Sequence, residues 1–201
     1  RYRLRELKAD RIVYVTDARQ KQHFAMVFKT ADLAGWLGGT RVEHVAFGSV
    51  LGPDGKPFKT RTGDTVKLAD LLDEAQQRAR DIVAAKNPDL PDQQKEQIAQ
   101  AVGIGAIKYA DLSTDRVKDY VFNWDRMLAF DGNTAPYLQY AYVRIRAIFR
   151  KGGIDPASLN SATITLAEQP ERALALKLLQ LSSVIDSVAE SLEPHRLCTY
   201  L

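Results

Sequence analysis

A chain of 201 residues, 45% hydrophobic and 26% charged, carries enough apolar material for one large domain or two small ones, which excludes a disordered or fibrous polypeptide. Lys and Arg number 28 against 25 Asp and Glu, so a basic patch could meet phosphate, but the balance does not by itself announce a nucleic-acid binder. The single cysteine, Cys198, excludes an internal disulfide, and His23, His44 and His195 lie too far apart in sequence for a zinc site. No apolar run approaches the roughly 20 residues that span a bilayer, and no signal-peptide pattern opens the chain. A cytoplasmic setting with no membrane partner is the expectation. Arg1 at the start and the apolar stretch Leu197 to Leu201 with no stop residue read as a fragment cut at both ends.

Residues 11–16 form a short run of β-branched and aromatic side chains, expected as a buried strand. Phe24, Val27, Phe28, Ala31 and Ala34 then recur at helical spacing to residue 37, where Gly38-Gly39 closes the pattern. A second β-rich run covers 42–51. Strand, helix and strand at this spacing predict a βαβ unit, hence a parallel sheet with ligands at the carboxyl ends of its strands. After the Pro53-Asp54-Gly55 turn, the stretch from Lys56 to Lys67 is polar and basic, with Gly63 as a loop would have. Leu68, Leu71, Leu72, Ala75, Ala79, Ile82 and Val83 mark a helix ending near Asn87-Pro88, and another runs from about Pro91 to Tyr109. Tyr120, Val121 and Phe122 are strand-like.

From Asn133 onward only helix is expected. Leu138, Ala141, Tyr142, Ile145, Ile148 and Phe149 make one apolar stripe, which predicts a core position for Tyr142 and stops at Gly152-Gly153. Thr165-x-x-Glu168 has the form of a capping box ahead of a longer helix. Along that helix Leu174, Leu178, Leu181, Ile185, Val188 and Leu192 repeat at spacings of four and three, as in a bundle seam.

Three segments carry side chains suited to chemistry. Asp17-Ala-Arg19-Gln20-Lys-Gln-His23-Phe24 lies where the first strand hands over to its helix; Asp17 is equally suited to cap that helix. Lys59 and Arg61 next to Gly63 bring cations to an anion on a flexible loop, although the glycine-rich phosphate cradle pattern is missing. Tyr137, Tyr140 and Arg144 lie off the apolar stripe of their helix, where stacking and phosphate contact are both open to them. No paired catalytic acids, Ser-His-Asp set or metal-ligand cluster can be assembled, so positional and electrostatic chemistry on a nucleotide is expected.

In order along the chain, Tyr14-Val-Thr-Asp17-Ala-Arg-Gln20-x-x-His23-Phe24, Val42-Glu-His44-Val-x-Phe47-Gly48-x-Val50, and Gly55-Lys-Pro-Phe58-Lys59-Thr-Arg61-Thr-Gly63 resemble the arginyl-tRNA synthetases. So do Tyr109-Ala-Asp-Leu, Asp119-Tyr-Val-Phe-x-Trp124-Asp and Gly132-Asn-Thr-x-Pro136-Tyr-Leu-Gln139-Tyr-Ala-Tyr-x-Arg144, so that the resemblance covers nearly the whole chain. It implies an arginine-tRNA ligase that uses arginine, ATP with Mg²⁺, and tRNA, working as a monomer with no protein-bound metal site in this portion. By the same resemblance Gln20 contacts substrate arginine, and His23 lies beside the nucleotide. His44, Phe47 and Gly48 match the strand end next to adenosine. Lys59 to Gly63 stand where related enzymes have a mobile Lys-Met-Ser-Lys-Ser loop, with Arg61 at the second lysine and Lys59 offset.

The implied fold is α/β: an incomplete Rossmann-type parallel sheet, a mostly helical connecting region, and the beginning of an α-helical bundle. The expected divisions are 1–63 for the second half of the catalytic domain, 64–132 for the connecting region, and 133–201 for the start of the anticodon-binding domain. The His-x-Gly-His signature of the family does not occur in the 201 residues, so this stretch alone is expected to be inactive. The alternative is a noncatalytic tRNA-binding or structural module.

Overall fold

The structure, a computed structural model, describes residues 1–52, 54–56 and 67–201. Two compact units divide the chain: Arg1–Phe58 with Thr114–Phe122, and Lys59–Ser113 with Asn123–Leu201.

In the first unit a short helix, α1 (Tyr2–Arg5), precedes strand β1 (Arg11–Asp17). A 3₁₀ turn, Ala18–Gln20, leads into α2 (Lys21–Leu33), and β2 (Arg41–Phe47) returns parallel to β1 in a register running from Arg11↔Arg41 to Asp17↔Phe47. This is the βαβ unit that the alternation of patterns predicts. Its helix is held to the sheet by aromatic contact, with the Tyr14 ring 4.9 Å from Phe24 and 5.5 Å from Phe28. Arg11 and Arg41 face each other across the ladder, an unfavourable like-charge pair. Glu43 relieves it, taking Arg11 Nε at 2.6 Å and Arg41 Nε at 2.8 Å, and these guanidinium groups hold the Glu43 carboxyl below its usual range.

Helix α2 ends a turn earlier than the apolar pattern predicts. Gly35 takes a left-handed φ of 65°, so that Gly35 N donates to Asp32 O at 2.9 Å and Trp36 N to Ala31 O at 3.0 Å. That double bond is a Schellman close, and it stops the helix at the first available glycine although Trp36 and Leu37 keep the apolar rhythm.

The expected single strand over 42–51 is two. Beyond β2 the chain breaks at Gly48-Ser49 and resumes as β3 (Val50–Leu51), which pairs in parallel with β4 (Tyr120–Val121) in a separate sheet. Thr114–Phe122, inside the expected connecting region 64–132, is paired by its backbone with the first unit.

The second unit is helical. Helices α3 (Leu68–Lys86) and α4 (Asp92–Ser113) pack along small residues: Ala75, Ala79 and Val83 on one side, Ala99, Gly103, Ala106 and Ile107 on the other, all buried. A Cβ on Gly103 would fall 2.6 Å from the Ala75 carbonyl oxygen, so the two backbones touch there. After α5 (Trp124–Met127), capped by Asn123 accepting from Arg126 N, comes α6 (Ala135–Gly152). Thr134 caps α6 by accepting from Tyr137 N, while its hydroxyl donates to Ala129 O at 2.7 Å.

Helix α6 rests on α4 through its first turns, where Ala135 and Pro136 are buried and Gln139 Nε2 donates to Ala101 O at 2.9 Å. Further along, the expected core position of Tyr142 fails. Tyr142 is 63% exposed, with Ile145 and Ile148 exposed beside it, because an apolar stripe reports local periodicity and not what covers it.

The expected long helix is also two, α7 (Gln169–Leu179) and α8 (Leu181–Ser191), before the short α9 (His195–Tyr200). At the joint Gln180 N reaches back only three residues, to Lys177 O at 3.1 Å, and neither Gly nor Pro marks the place. The capping box is one register later than Thr165-x-x-Glu168: Glu168 is the cap itself, and the Glu171 side chain accepts from Glu168 N at 2.9 Å. A carboxylate serves here as well as a hydroxyl would, since the helix start exposes free N–H groups. No helix among the described residues is long and apolar enough to cross a membrane.

Candidate functional site

The carboxyl ends of β1 and β2 lie side by side, with Asp17 opposite Phe47. Parallel strands leave carbonyls and helix-start N–H groups unpaired at this edge, which is why α/β folds collect ligands there. Asp17 turns the chain from strand to helix. Its carboxylate accepts from Arg19 N and Arg19 Nε, both at 2.8 Å, and from Nη2 at 2.9 Å. Hydrogen bonding from the Arg19 side chain, then from its backbone, lowers the Asp17 pKa to about 2. The sign is that of a depressed acid: whatever this contact contributes is present above the ordinary carboxyl range and is lost as pH falls towards 2. A carboxyl-detected titration by NMR is expected to place Asp17 near 2, and Arg19→Ala to return it towards the ordinary value; an unchanged midpoint in the variant would reject the pairing.

Gln20 ends the 3₁₀ turn and stands at the N-cap of α2, yet its side chain makes no capping bond and is exposed. Its amide is therefore free of a structural duty at the helix start. His23, one turn into α2, is exposed and meets the edge of Phe24 at 5.4 Å. His44 stacks on the same ring at 4.8 Å with 21° between planes, while His44 Nε2 lies 2.8 Å from Thr16 Oγ1. His44 is thus held by a stacking partner and a hydrogen bond. The Thr16 contact escapes a motif search, since it couples neighbouring strands through a residue that reads only as strand filler.

Phe47, at the end of β2, is 43% exposed, an unusual placement for a large apolar ring unless something stacks on it. Gly48 follows because nothing larger fits: an added Cβ would lie 2.5 Å from Lys118 O and 2.9 Å from Asp119 N. Lys21, His44, Ala46 and Arg116 help line a cavity of about 500 Å³ at this edge. A larger cavity of about 670 Å³ includes His23 but is walled by Ile12, Tyr14, Phe28, Trp36 and Val42, and none of Gln20, His44, Phe47 and Gly48 lines it.

In the first unit Gln20 follows the end of β1, Phe47 and Gly48 lie at the end of β2, and His23 and His44 share the Phe24 ring. Lys59, Arg61 and Gly63 lie outside the described residues. In the second unit Tyr137 and Tyr140 are 45% and 50% exposed on α6, and Arg144 Nη1 lies 3.5 Å from the Tyr140 hydroxyl, with its guanidinium over the same ring. Those three side chains share one face of the helix by their spacing of three and four. Among the described residues no group of three His, Cys, Asp or Glu is placed to hold a metal ion.

Residues 1–124 match the family described as tRNA synthetases class I (R), catalytic domain, and residues 138–201 match the DALR anticodon binding domain. Arginine--tRNA ligase of Frankia casuarinae is 59% identical over all of this chain, and that of Chromobacterium violaceum 56%. The chain spans about a third of the length of these curated relatives, 34% and 35% respectively. Among solved structures, the arginyl-tRNA synthetase of Plasmodium falciparum matches with a TM-score of 0.84 at 31% identity, covering 99% of this chain and 34% of that one. The Thermus thermophilus arginyl-tRNA synthetase matches with a TM-score of 0.80 at 36% identity, covering 96% of this chain and 31% of that one.

Proposed function

We infer, for a chain that belongs to the class I arginyl-tRNA synthetase family, that it forms part of an enzyme joining arginine to its tRNA by way of an arginyl-adenylate. The observation that carries this reading is the match of residues 1–124 to the catalytic domain of that class, together with 59% identity to an arginine-tRNA ligase along the whole chain. In the proposed division, residues 1–63 belong to a Rossmann-type catalytic domain, 64–132 connect, and 133–201 begin the anticodon-binding bundle.

In the first step the arginine carboxylate attacks the α-phosphorus of ATP and pyrophosphate leaves; in the second a ribose hydroxyl of tRNA takes the arginyl group and AMP leaves. The residues of this chain act by placement. Gln20 offers its uncommitted amide to substrate arginine. His44, fixed between Phe24 and Thr16, and the exposed Phe47 flank adenosine, with Gly48 at the strand end and His23 beside the nucleotide. Lys59 and Arg61 set positive charge where the leaving pyrophosphate gains negative charge. Tyr137, Tyr140 and Arg144 offer two rings and a guanidinium to tRNA. Mg²⁺ would accompany the triphosphate, and no three ligands for it converge among the described residues, so no step is assigned to it.

Arginine-dependent ATP–pyrophosphate exchange by the full-length gene product tests the reading. Exchange with arginine and no other amino acid is expected. Retained tRNA binding without exchange would leave a noncatalytic tRNA-binding module. Within the enzyme, Gln20→Ala is expected to raise KM for arginine by roughly 5- to 150-fold, because a hydrogen bond to a polar substrate contributes about 1 to 3 kcal/mol when its loss strands a partner. Unchanged KM and turnover for arginine would remove Gln20 from the site.

A further inference from the structure

Five hydrogen bonds join the strand end that carries Phe47 and Gly48 to a segment about 70 residues further along the chain. Arg116 Nη1 donates to Ala46 O at 2.8 Å. Gly48 N donates to Arg116 O at 2.7 Å. Ser49 N donates to the Asp119 carboxylate at 2.6 Å. Just beyond, Tyr120 N donates to Ser49 O at 3.2 Å and Phe122 N to Leu51 O at 2.8 Å, which closes the short ladder between β3 and β4. The Lys118-Asp119 backbone lies so close to Gly48 that no Cβ could be admitted.

Each residue from Ala46 to Leu51 except Phe47 is thereby touched by the later segment or paired with it. The Phe47 ring projects from a backbone gripped on both sides. A carbonyl at a strand end and two backbone N–H groups past it would otherwise turn freely to water, and the ring would turn with them. Charged partners hold two of the three, and such bonds are shorter and stronger than neutral ones.

We propose that Arg116 and Asp119 are positioning residues for ATP: they fix the backbone at 46–49 so that Phe47 and Gly48 present a preformed edge to the adenosine, and they act through that backbone without touching the nucleotide. The proposal rests on the assignment of Phe47 and Gly48 to the nucleotide site. Its physical content is preorganisation. A strand end that is already ordered loses little freedom when ATP arrives, whereas a loosened one must be ordered by the ligand and binds it more weakly.

The test uses the full-length enzyme and measures KM for ATP and for arginine separately in pyrophosphate exchange, alongside the melting temperature. Asp119→Ala and Arg116→Ala are each expected to raise KM for ATP about tenfold, one factor of ten for a lost charge-assisted bond of modest strength, while KM for arginine stays within about twofold. Asp119→Asn keeps an oxygen for Ser49 N and is expected to recover most of the ATP constant; Arg116→Lys keeps one donor and is expected to recover part. Phe47→Ala, run in parallel, separates the two ideas. If it raises KM for ATP and the alanine variants at 116 and 119 do not, the positioning proposal is overturned and the site assignment stands. If Phe47→Ala also leaves KM for ATP unchanged, the assignment fails and takes the proposal with it. Equal loss for ATP and arginine, tracking a fall in melting temperature without rescue by Asn or Lys, makes the contacts merely structural and overturns the proposal as well.

Discussion

Arg61→Ala in the full-length enzyme is expected to lower turnover on the order of 100-fold while leaving KM for ATP nearly unchanged. The reason is the timing of charge. Bound ATP already has its phosphates solvated and neutralised, but the bridging oxygen gains charge only as the bond to the α-phosphorus breaks. A guanidinium that meets this oxygen in the transition state raises turnover, and one that meets the ground state equally lowers only KM. Lys59→Ala is the comparison, since the sequence carries a cation at each of these two positions. Arg61→Lys is expected to recover part of the rate if charge alone suffices and little if the paired donors of the guanidinium are needed. Stopped-flow or steady-state exchange rates decide it. An effect below about threefold would make the segment ordinary surface, and a large rise in KM with normal turnover would make Arg61 a ground-state ligand.

The second large effect is on stability. Gly103→Ala replaces a poor helix former with the best one, which in an open helix would stabilise by about 1 kcal/mol. The packing reverses the sign. The new Cβ would lie 2.6 Å from Ala75 O, 2.7 Å from its carbonyl carbon and 2.8 Å from Gln76 N. All three neighbours are backbone and cannot rotate aside, so α3 and α4 must separate along the seam of Ala75, Ala79, Ala99 and Ala106. Overpacking of this kind costs roughly 1 to 3 kcal/mol, which outweighs the propensity gain over most of that range. Thermal denaturation of the variant is expected to show a fall of several degrees, about 2 to 4 °C per kcal/mol for a chain of this size. A raised melting temperature would mean that the helices do not approach as closely as described.

Periodicity made α3, α4 and the βαβ unit legible because each is set by its own residues: a stripe such as Ala75, Ala79 and Val83 needs only 3.6-residue spacing to declare a face. The failures share a cause. Gly35 ends α2 through bonds that apolar rhythm does not record, Gln180 divides α7 from α8 with no Gly or Pro to mark it, and Tyr142 is exposed because coverage depends on what lies opposite. The family resemblance pointed to His23, His44 and Phe47; His23 and His44 meet the Phe24 ring, and Phe47 lies opposite Asp17 in the register. Neither Thr16 nor Arg116 stood out. The first acts through a cross-strand hydroxyl, and the second reaches a backbone carbonyl 70 residues away, a partner that leaves no trace in local composition.

The first unit is made from two stretches of chain with the α3–α4 hairpin between them, and this has a consequence for the order of assembly during translation. When residue 51 leaves the ribosome, the two-strand sheet has all of its residues, but β3 has no partner and the latch at 46–49 has nothing to close upon. Both must wait until residues 116–122 have been made. Meanwhile the hairpin, whose contacts are local, can form first and draw the two ends of its own insertion together, which shortens the loop that the late pairing has to close. Slow decoding between residues 52 and 116 would therefore prolong the exposure of an unpaired strand edge and raise the risk of aggregation at that stage.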